Sequence, residues 1–266
     1  MMDIADLIQQ YRSLKIDEII DHEKFNLISI VHHSTSIEGS TLTEVETQVL
    51  LNEGLTPKGK PIQDSLMVTD HFKALKFTLQ EAKRKRPVTA EFIQEINAHV
   101  VHSTGAVYNT VFGTIDARTG AFRKGNVSAG ASYFPNYEKV ESMTIALASK
   151  VKEKMNKEIT INEQLNLSFD AHFNLVSIHP FYDGNGRTSR LLMNYIQHFY
   201  ELPLAIVFSE SKAEYIQALI DTRAQSNLEI FRSFMRDEYS KLLQSEIRKI
   251  EEINKPKKGS GFNLMF

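Results

Sequence analysis

One run, His179-Pro180-Phe181-Tyr182-Asp183-Gly184-Asn185-Gly186-Arg187-Thr188-Ser189-Arg190, holds an imidazole, a carboxylate, two glycines around an asparagine, and two arginines. Residues of these types, this close together, suit chemistry at a phosphate. His179 titrates near neutral pH and can accept a proton. Asp183 is a single carboxylate. Mg²⁺ usually takes one or two protein carboxylates and completes its shell with phosphate oxygens and water. Gly184 and Gly186 open backbone angles closed to other residues, so successive N–H groups can converge on an anion. Asn185 adds a side-chain donor. A helix starting near Gly186 or Arg187 turns its N-terminus to the same point. Arg187 and Arg190 are neighbours on that helix and suit bidentate contact with phosphate oxygens. Together the parts describe phosphoryl or nucleotidyl transfer. A base takes a hydroxyl proton, the hydroxyl attacks phosphorus, and metal, N–H groups and arginine hold the charge.

Other chemistries find little support. Lys58-Gly59-Lys60 lacks the upstream glycine and the following Ser or Thr of a P-loop. The histidines form no HExxH pair, and adjacent His32 and His33 face different ways on a helix. His172 reads as a packed or hydrogen-bonded helix residue. There is no cysteine, which excludes disulfides, thiolate catalysis and cysteine-built zinc sites, and fits a cytoplasmic protein. The net charge of −2 gives no argument for a nucleic-acid partner or a membrane surface. The basic run Lys83-Arg84-Lys85-Arg86 reads as a solvated helix end favoured by the macrodipole. No apolar run approaches the roughly 18 residues of a membrane span. The acidic start of the chain lacks the basic and apolar regions of a signal peptide, so none is expected.

The elements that must position the loop are mostly helices. Ile4, Leu7, Ile8, Tyr11 and Leu14 form one apolar stripe, suited to packing or to self-association in a homodimer. Phe25, Ile28, Ile30 and Val31 predict a second, shorter helix ending near Gly39. Thr43 and Glu46 form a capping box for a third helix, closed by Gly54. A helix through Leu66 and Leu79 stops before Pro87, and Thr89 caps the next. Residues 103–136 are rich in Gly, Thr, Ser and aromatics and lack helical period, which marks a functional segment inside a compact domain. Alternation at Phe122 to Val127 predicts a small hairpin there. Helices follow from Tyr137 to Met155, from about Asn162 to Ile178, and from Arg187 to Tyr200. Another contains Tyr215, and a last one runs from Leu228 to about Ile253. The tail from Pro256 reads as flexible. Pro180 disfavours helical geometry at His179, so the preceding helix should end there. Phe181 is expected to anchor the loop in the core. The expected class is all-α with one small β element.

The run His179 to Arg190 resembles a complete Fic motif, HPF-x-D/E-G-N-G-R-x-x-R, without departure at a defining position. The resemblance covers roughly Val31 to Arg236. It implies a Fic-type helical bundle over residues 31–240, with an N-terminal helical extension over 1–30 and a helix end and tail over 241–266. It implies an adenylyltransferase that moves AMP from ATP to a protein Ser, Thr or Tyr hydroxyl. On this reading His179 is the base and Asp183 the Mg²⁺ ligand. Gly184, Asn185 and Gly186 form the anion cradle, and Arg187 and Arg190 hold the triphosphate. Gly120 to Pro135 looks like the family's flap, which would pair with a target protein's backbone by strand addition. Tyr215 resembles the aromatic on the nucleoside side. Self-modification is open to such an enzyme, as are removal of AMP, transfer of another phosphate-containing group, and a purely regulatory nucleotide-binding role.

Ser34-Thr35-Ser36-Ile37-Glu38-Gly39 resembles the family's inhibitory helix, S/T-x-x-x-E-G/N, here expected over about residues 23–39. The resemblance implies that Glu38 pairs with Arg190 and denies it to the γ-phosphate. A carboxylate there would also repel triphosphate oxygens.

Overall fold

The computed structural model describes residues 3–16, 22–111, 113–129 and 132–254. The expected tail from Pro256 lies outside them. Among the described residues there are ten α-helices: α1 (Ile4–Ser13), α2 (His22–Ile37), α3 (Glu44–Glu53), α4 (Ile62–Lys83), α5 (Ala90–Val100), α6 (Tyr137–Met155), α7 (Ile161–Ile178), α8 (Asn185–Phe199), α9 (Lys212–Gln225) and α10 (Leu228–Asn254). Four short strands lie between α5 and α6: β1 (Val107–Thr110), β2 (Gly113–Asp116), β3 (Ser128–Ala129) and β4 (Ser132–Tyr133). The all-α class with a small β element therefore holds. No described helix is long and apolar enough to cross a membrane.

Local signals set the helix ends. The Thr43 hydroxyl accepts from the Glu46 amide, and the Glu46 carboxylate accepts from the Thr43 amide. Gly54 closes α3 in the left-handed region. The same reciprocal cap, Thr160 with Glu163, starts α7 at Ile161, just before the expected start. α2, at 16 residues, falls close to the helix expected over about residues 23–39.

α8 is the central rod. Leu191, Leu192 and Ile196 are fully buried in one core cluster that draws on α4, α5 and α7. Each such side chain stabilises the fold by roughly 1.5–3 kcal/mol through burial. Because α8 is enclosed, its N-terminus is held firmly. The stripe on α1 does not stand free. Ile4, Leu7, Ile8 and Tyr11 are buried in the second cluster with Tyr239, Leu243 and Ile247 of α10. The stripe therefore serves packing within this chain.

The basic run at the end of α4 is also spoken for. Arg84 pairs with Glu81, Arg86 makes a two-pronged contact with Glu95, and Lys85 bonds the Phe199 carbonyl.

The segment before α6 differs from expectation in detail. Residues 122–127 form no strand. Phe122 instead stacks near Phe181, with centroids 5.7 Å apart, and the Arg123 side chain is buried. Side-chain anchoring replaces a ladder there. β3 pairs with β4, Ser128 opposite Tyr133, inside the expected flap interval. A second hairpin, β1 with β2, places Tyr108 opposite Ile115 and was not foreseen.

Candidate active site

The loop is built from the two helix ends that flank it. α7 ends at His179, which adopts left-handed angles, φ 53° and ψ 57°. This is uncommon for a residue with a Cβ and costs of order 1–2 kcal/mol. Pro180 forbids continuation of the helix, so the chain must turn there. Gly184 takes φ +77° as the cap of α8. A Cβ there would also meet Val101 Cγ1 at 2.8 Å and Asn97 Nδ2 at 2.9 Å. Glycine thus lets the loop turn and press against α5 at once. Phe181 is 1% exposed and fixes the loop to the core, as expected.

Asn185 behaves differently from expectation. Its amide oxygen accepts from the Phe181 amide, and its Nδ2 donates to the Phe181 carbonyl, both at 2.9 Å. The side chain locks the loop, a role the sequence reading did not foresee. Its backbone amide stands in the first turn of α8. Asn97 of α5, absent from the sequence reading, gives a second lock. Its Nδ2 donates to the Asp183 carbonyl at 3.0 Å and the Thr188 hydroxyl at 3.1 Å. Asn97→Ala should cost about 1–3 kcal/mol by stranding buried acceptors. A urea midpoint equal to that of the unaltered protein would refute the lock.

The base candidate lies at the edge of a cavity of about 220 Å³ that His179, Gly186, Arg190, Glu38, Phe134, Val176, Tyr215, Leu219 and others line. His179 Nδ1 faces the Val176 carbonyl at 3.4 Å. A carbonyl only accepts, so this contact favours the tautomer with Nδ1 protonated and Nε2 basic. Burial lowers the His179 pKa to about 4, with the Arg123 charge adding to that and the Val176 contact and Glu38 opposing it. The imidazole is therefore neutral at pH 7. Phe134 stacks on it, centroids 3.9 Å apart and planes 15° from parallel.

Asp183 is 45% exposed on its side chain. One oxygen accepts from the Gly184 amide at 2.6 Å and faces Arg187 Nη2 at 3.3 Å. No group of three or more His, Cys, Asp or Glu residues among the described residues could hold a metal. A half-exposed carboxylate beside a helix N-terminus nevertheless suits Mg²⁺ brought in with a phosphate chain. Arg187 is only 2% exposed. Its Nη1 reaches the Val100 carbonyl, so it backs the cradle from inside.

Arg190 and Glu38 meet across α8 and the end of α2. Arg190 Nη2 donates to Glu38 Oε1 at 2.6 Å. Arg190 Nε donates to the Ser34 hydroxyl at 2.8 Å, and Nη2 also to the Ser34 carbonyl at 2.9 Å. Burial pushes the Glu38 carboxyl up, but Arg190 and then Arg187 outweigh it and hold it below the usual carboxylate range. Glu38 lies over the α8 N-terminus. A methyl group on Gly186 would stand 2.3 Å from Glu38 Oε1. The space where an anion would meet the helix end is where this carboxylate sits. Gly39, at φ +106°, turns the chain away just after it.

Tyr215 is 2% exposed, with its hydroxyl 2.8 Å from His172 Nε2. Its ring packs near Phe231 and Phe234. It lines the same cavity as His179 and Arg190. His172 is the hydrogen-bonded helix residue expected.

Residues 87–197 match the Fic/DOC family. The chain is 28% identical over 190 residues to the protein adenylyltransferases Fic of Drosophila willistoni and Drosophila erecta. Those matches cover 71% of this chain and 35–36% of the relatives, so the chain spans only about a third of their length. Among solved structures, a Fic-domain-containing signalling protein from Bacteroides thetaiotaomicron superposes with a TM-score of 0.80 at 23% identity, over 94% of this chain and 98% of that one. Fic-1 from C. elegans gives a TM-score of 0.70 at 24% identity, over 94% of this chain and 74% of that one. These likenesses show a shared fold.

Proposed function

We propose that this chain, which carries a Fic domain, is a protein adenylyltransferase held in check by its own Glu38. The observation that carries the reading is the meeting of His179, the α8 N-terminus at Gly186 and Arg190 on one cavity. An acceptor hydroxyl on a protein Ser, Thr or Tyr gives its proton to His179 Nε2. Its oxygen attacks the α-phosphorus of ATP, the bond to the bridging oxygen breaks, and pyrophosphate leaves. The amides at the start of α8 and the Arg190 guanidinium stabilise the negative charge of the phosphate chain. Asp183 would hold Mg²⁺, which supplies further charge neutralisation when bound. The hairpin β3–β4 offers strand edges to an extended target segment. The working domain in this reading runs from α2 into α10, with α1 as an added brace.

Supplying ATP labelled at the α- or γ-phosphate, with the Glu38→Gly variant and a lysate as acceptor source, tests the reaction directly. Acid-precipitable protein should gain label from the α position and not from the γ position. Excess EDTA should abolish it. Label arriving from the γ position would replace the proposed transfer with phosphorylation.

A further inference from the structure

Arg123 is among the largest fully buried side chains, at 1% exposure. No carboxylate among the described residues bonds it. Its three guanidinium nitrogens each find a carbonyl instead. Nε donates to His179 at 2.7 Å, Nη1 to Gly125 at 2.7 Å, and Nη2 to Pro135 at 2.5 Å. Its own amide donates to the Pro180 carbonyl at 2.9 Å. His179 is the C-cap of α7, so the cation stands where that helix presents its negative end. The carbonyls and the dipole explain how a buried charge is tolerated here without an anion.

We propose that Arg123 is a positioning residue that staples both ends of the segment carrying β3–β4 to the backbone of His179. Gly125 stands just before β3 and Pro135 just after β4, so one guanidinium closes the root of the hairpin. The third prong fixes the residue that carries the proposed base. The staple also brings Phe134, next to Pro135, flat onto the imidazole. One side chain therefore ties the two ends of the hairpin to the base. A planar fork is required, because an ammonium group cannot reach three divergent carbonyls in fixed directions.

The inference rests on the proposed transfer for its rate consequence and on geometry alone for the rest. The test uses Arg123→Lys, which keeps the charge and the stem, and Arg123→Gln, each in the Glu38→Gly chain. In the nucleotide-free parent, NMR should show the His179 ring protons shifted upfield by Phe134, with an acid midpoint well below the ordinary value because burial lowers it and the raising charge of Glu38 is gone. The groups facing that imidazole are Arg123, Glu38, Arg223 and the Val176 carbonyl, and Glu38 is absent from every chain compared. In both variants the upfield shift should relax and the midpoint should climb toward the ordinary value near 6.5. Transfer should fall by about 10²-fold from misplacement, with ATP affinity within about threefold. Unchanged ring shifts and midpoint in a folded variant overturn the proposal, as does full activity in Arg123→Lys. Should both variants fail to fold, hydrogen exchange on the unaltered protein decides. The Arg123 and His179 amides should then open together as denaturant is added, and independent opening overturns the staple. If the Glu38→Gly parent transfers no AMP, the activity reading fails, while the NMR and exchange results still judge Arg123.

Discussion

If the proposed transfer is right, Glu38→Gly should raise AMP transfer by about 10²-fold over the unaltered chain. The carboxylate of Glu38 takes Arg190 Nη2 at 2.6 Å and stands over Gly186 at the start of α8. An incoming triphosphate meets a like charge there and finds its arginine occupied. At about 4 Å and an effective dielectric near 20, a pair of unit charges interacts by about 4 kcal/mol. Solvent screening at a carboxylate that is 29% exposed reduces this. About 2.7 kcal/mol is a hundredfold in rate. Time courses with labelled ATP measure the gain. Equal rates in the two proteins would show that the Glu38–Arg190 pair is structural only. Glu38→Gln separates charge from bulk, and a neutral amide should recover an intermediate rate.

His179→Ala, made in the Glu38→Gly chain, should lower the proposed transfer by about 10²–10⁴-fold, the usual span for a lost general base. ATP binding should change little, because the imidazole meets the acceptor and not the phosphate chain. The pH dependence carries a further signature. Burial depresses the His179 pKa to about 4. Above that value the ring is neutral and can accept a proton, and below it the ring is charged and cannot. The acidic limb of kcat/KM for the acceptor should therefore fall near pH 4, well under the 6.5 of an exposed histidine. A limb near 6.5 would mean that the imidazole is solvated in the working enzyme.

Much of this site was legible as sequence because its parts lie within one run, and local rules govern them. Pro180 after His179 demanded a helix end, and α7 stops there. The capping box at Thr43 and Glu46 obeyed the same kind of short-range chemistry. What stayed hidden depends on partners far along the chain. Asn97 reaches the loop from 86 residues away, and Arg123 reaches His179 from 56. Nothing in the local pattern around either residue signals those bonds. The direction of the Asn185 amide depends on the backbone of Phe181, which only the folded loop defines. That His172 and Phe231 enclose Tyr215 is likewise a matter of distant partners that its sequence neighbours do not reveal. The β1–β2 hairpin was missed because β1 alternates only between exposed and half-buried and β2 buries just Ile115, without the strong apolar rhythm of a core strand.

Arg190 has a second hold on α2 that does not involve Glu38, through the hydroxyl and the carbonyl of Ser34. Breaking the Glu38 contact therefore leaves α2 moored to α8. Glu38 stands just past Ile37, the last helical residue, and is partly open to solvent. Only its own side chain has to swing aside. Such rotations take picoseconds to nanoseconds when exposed, against microseconds to milliseconds for a moving helix. On the proposed reading, the seat would open by a side-chain rotation against the Arg190 pair and not by movement of a helix. The enzyme's output would then be set by a duty cycle, the fraction of time the seat stands empty, and any partner that nudges one torsion angle would adjust the throughput in graded steps.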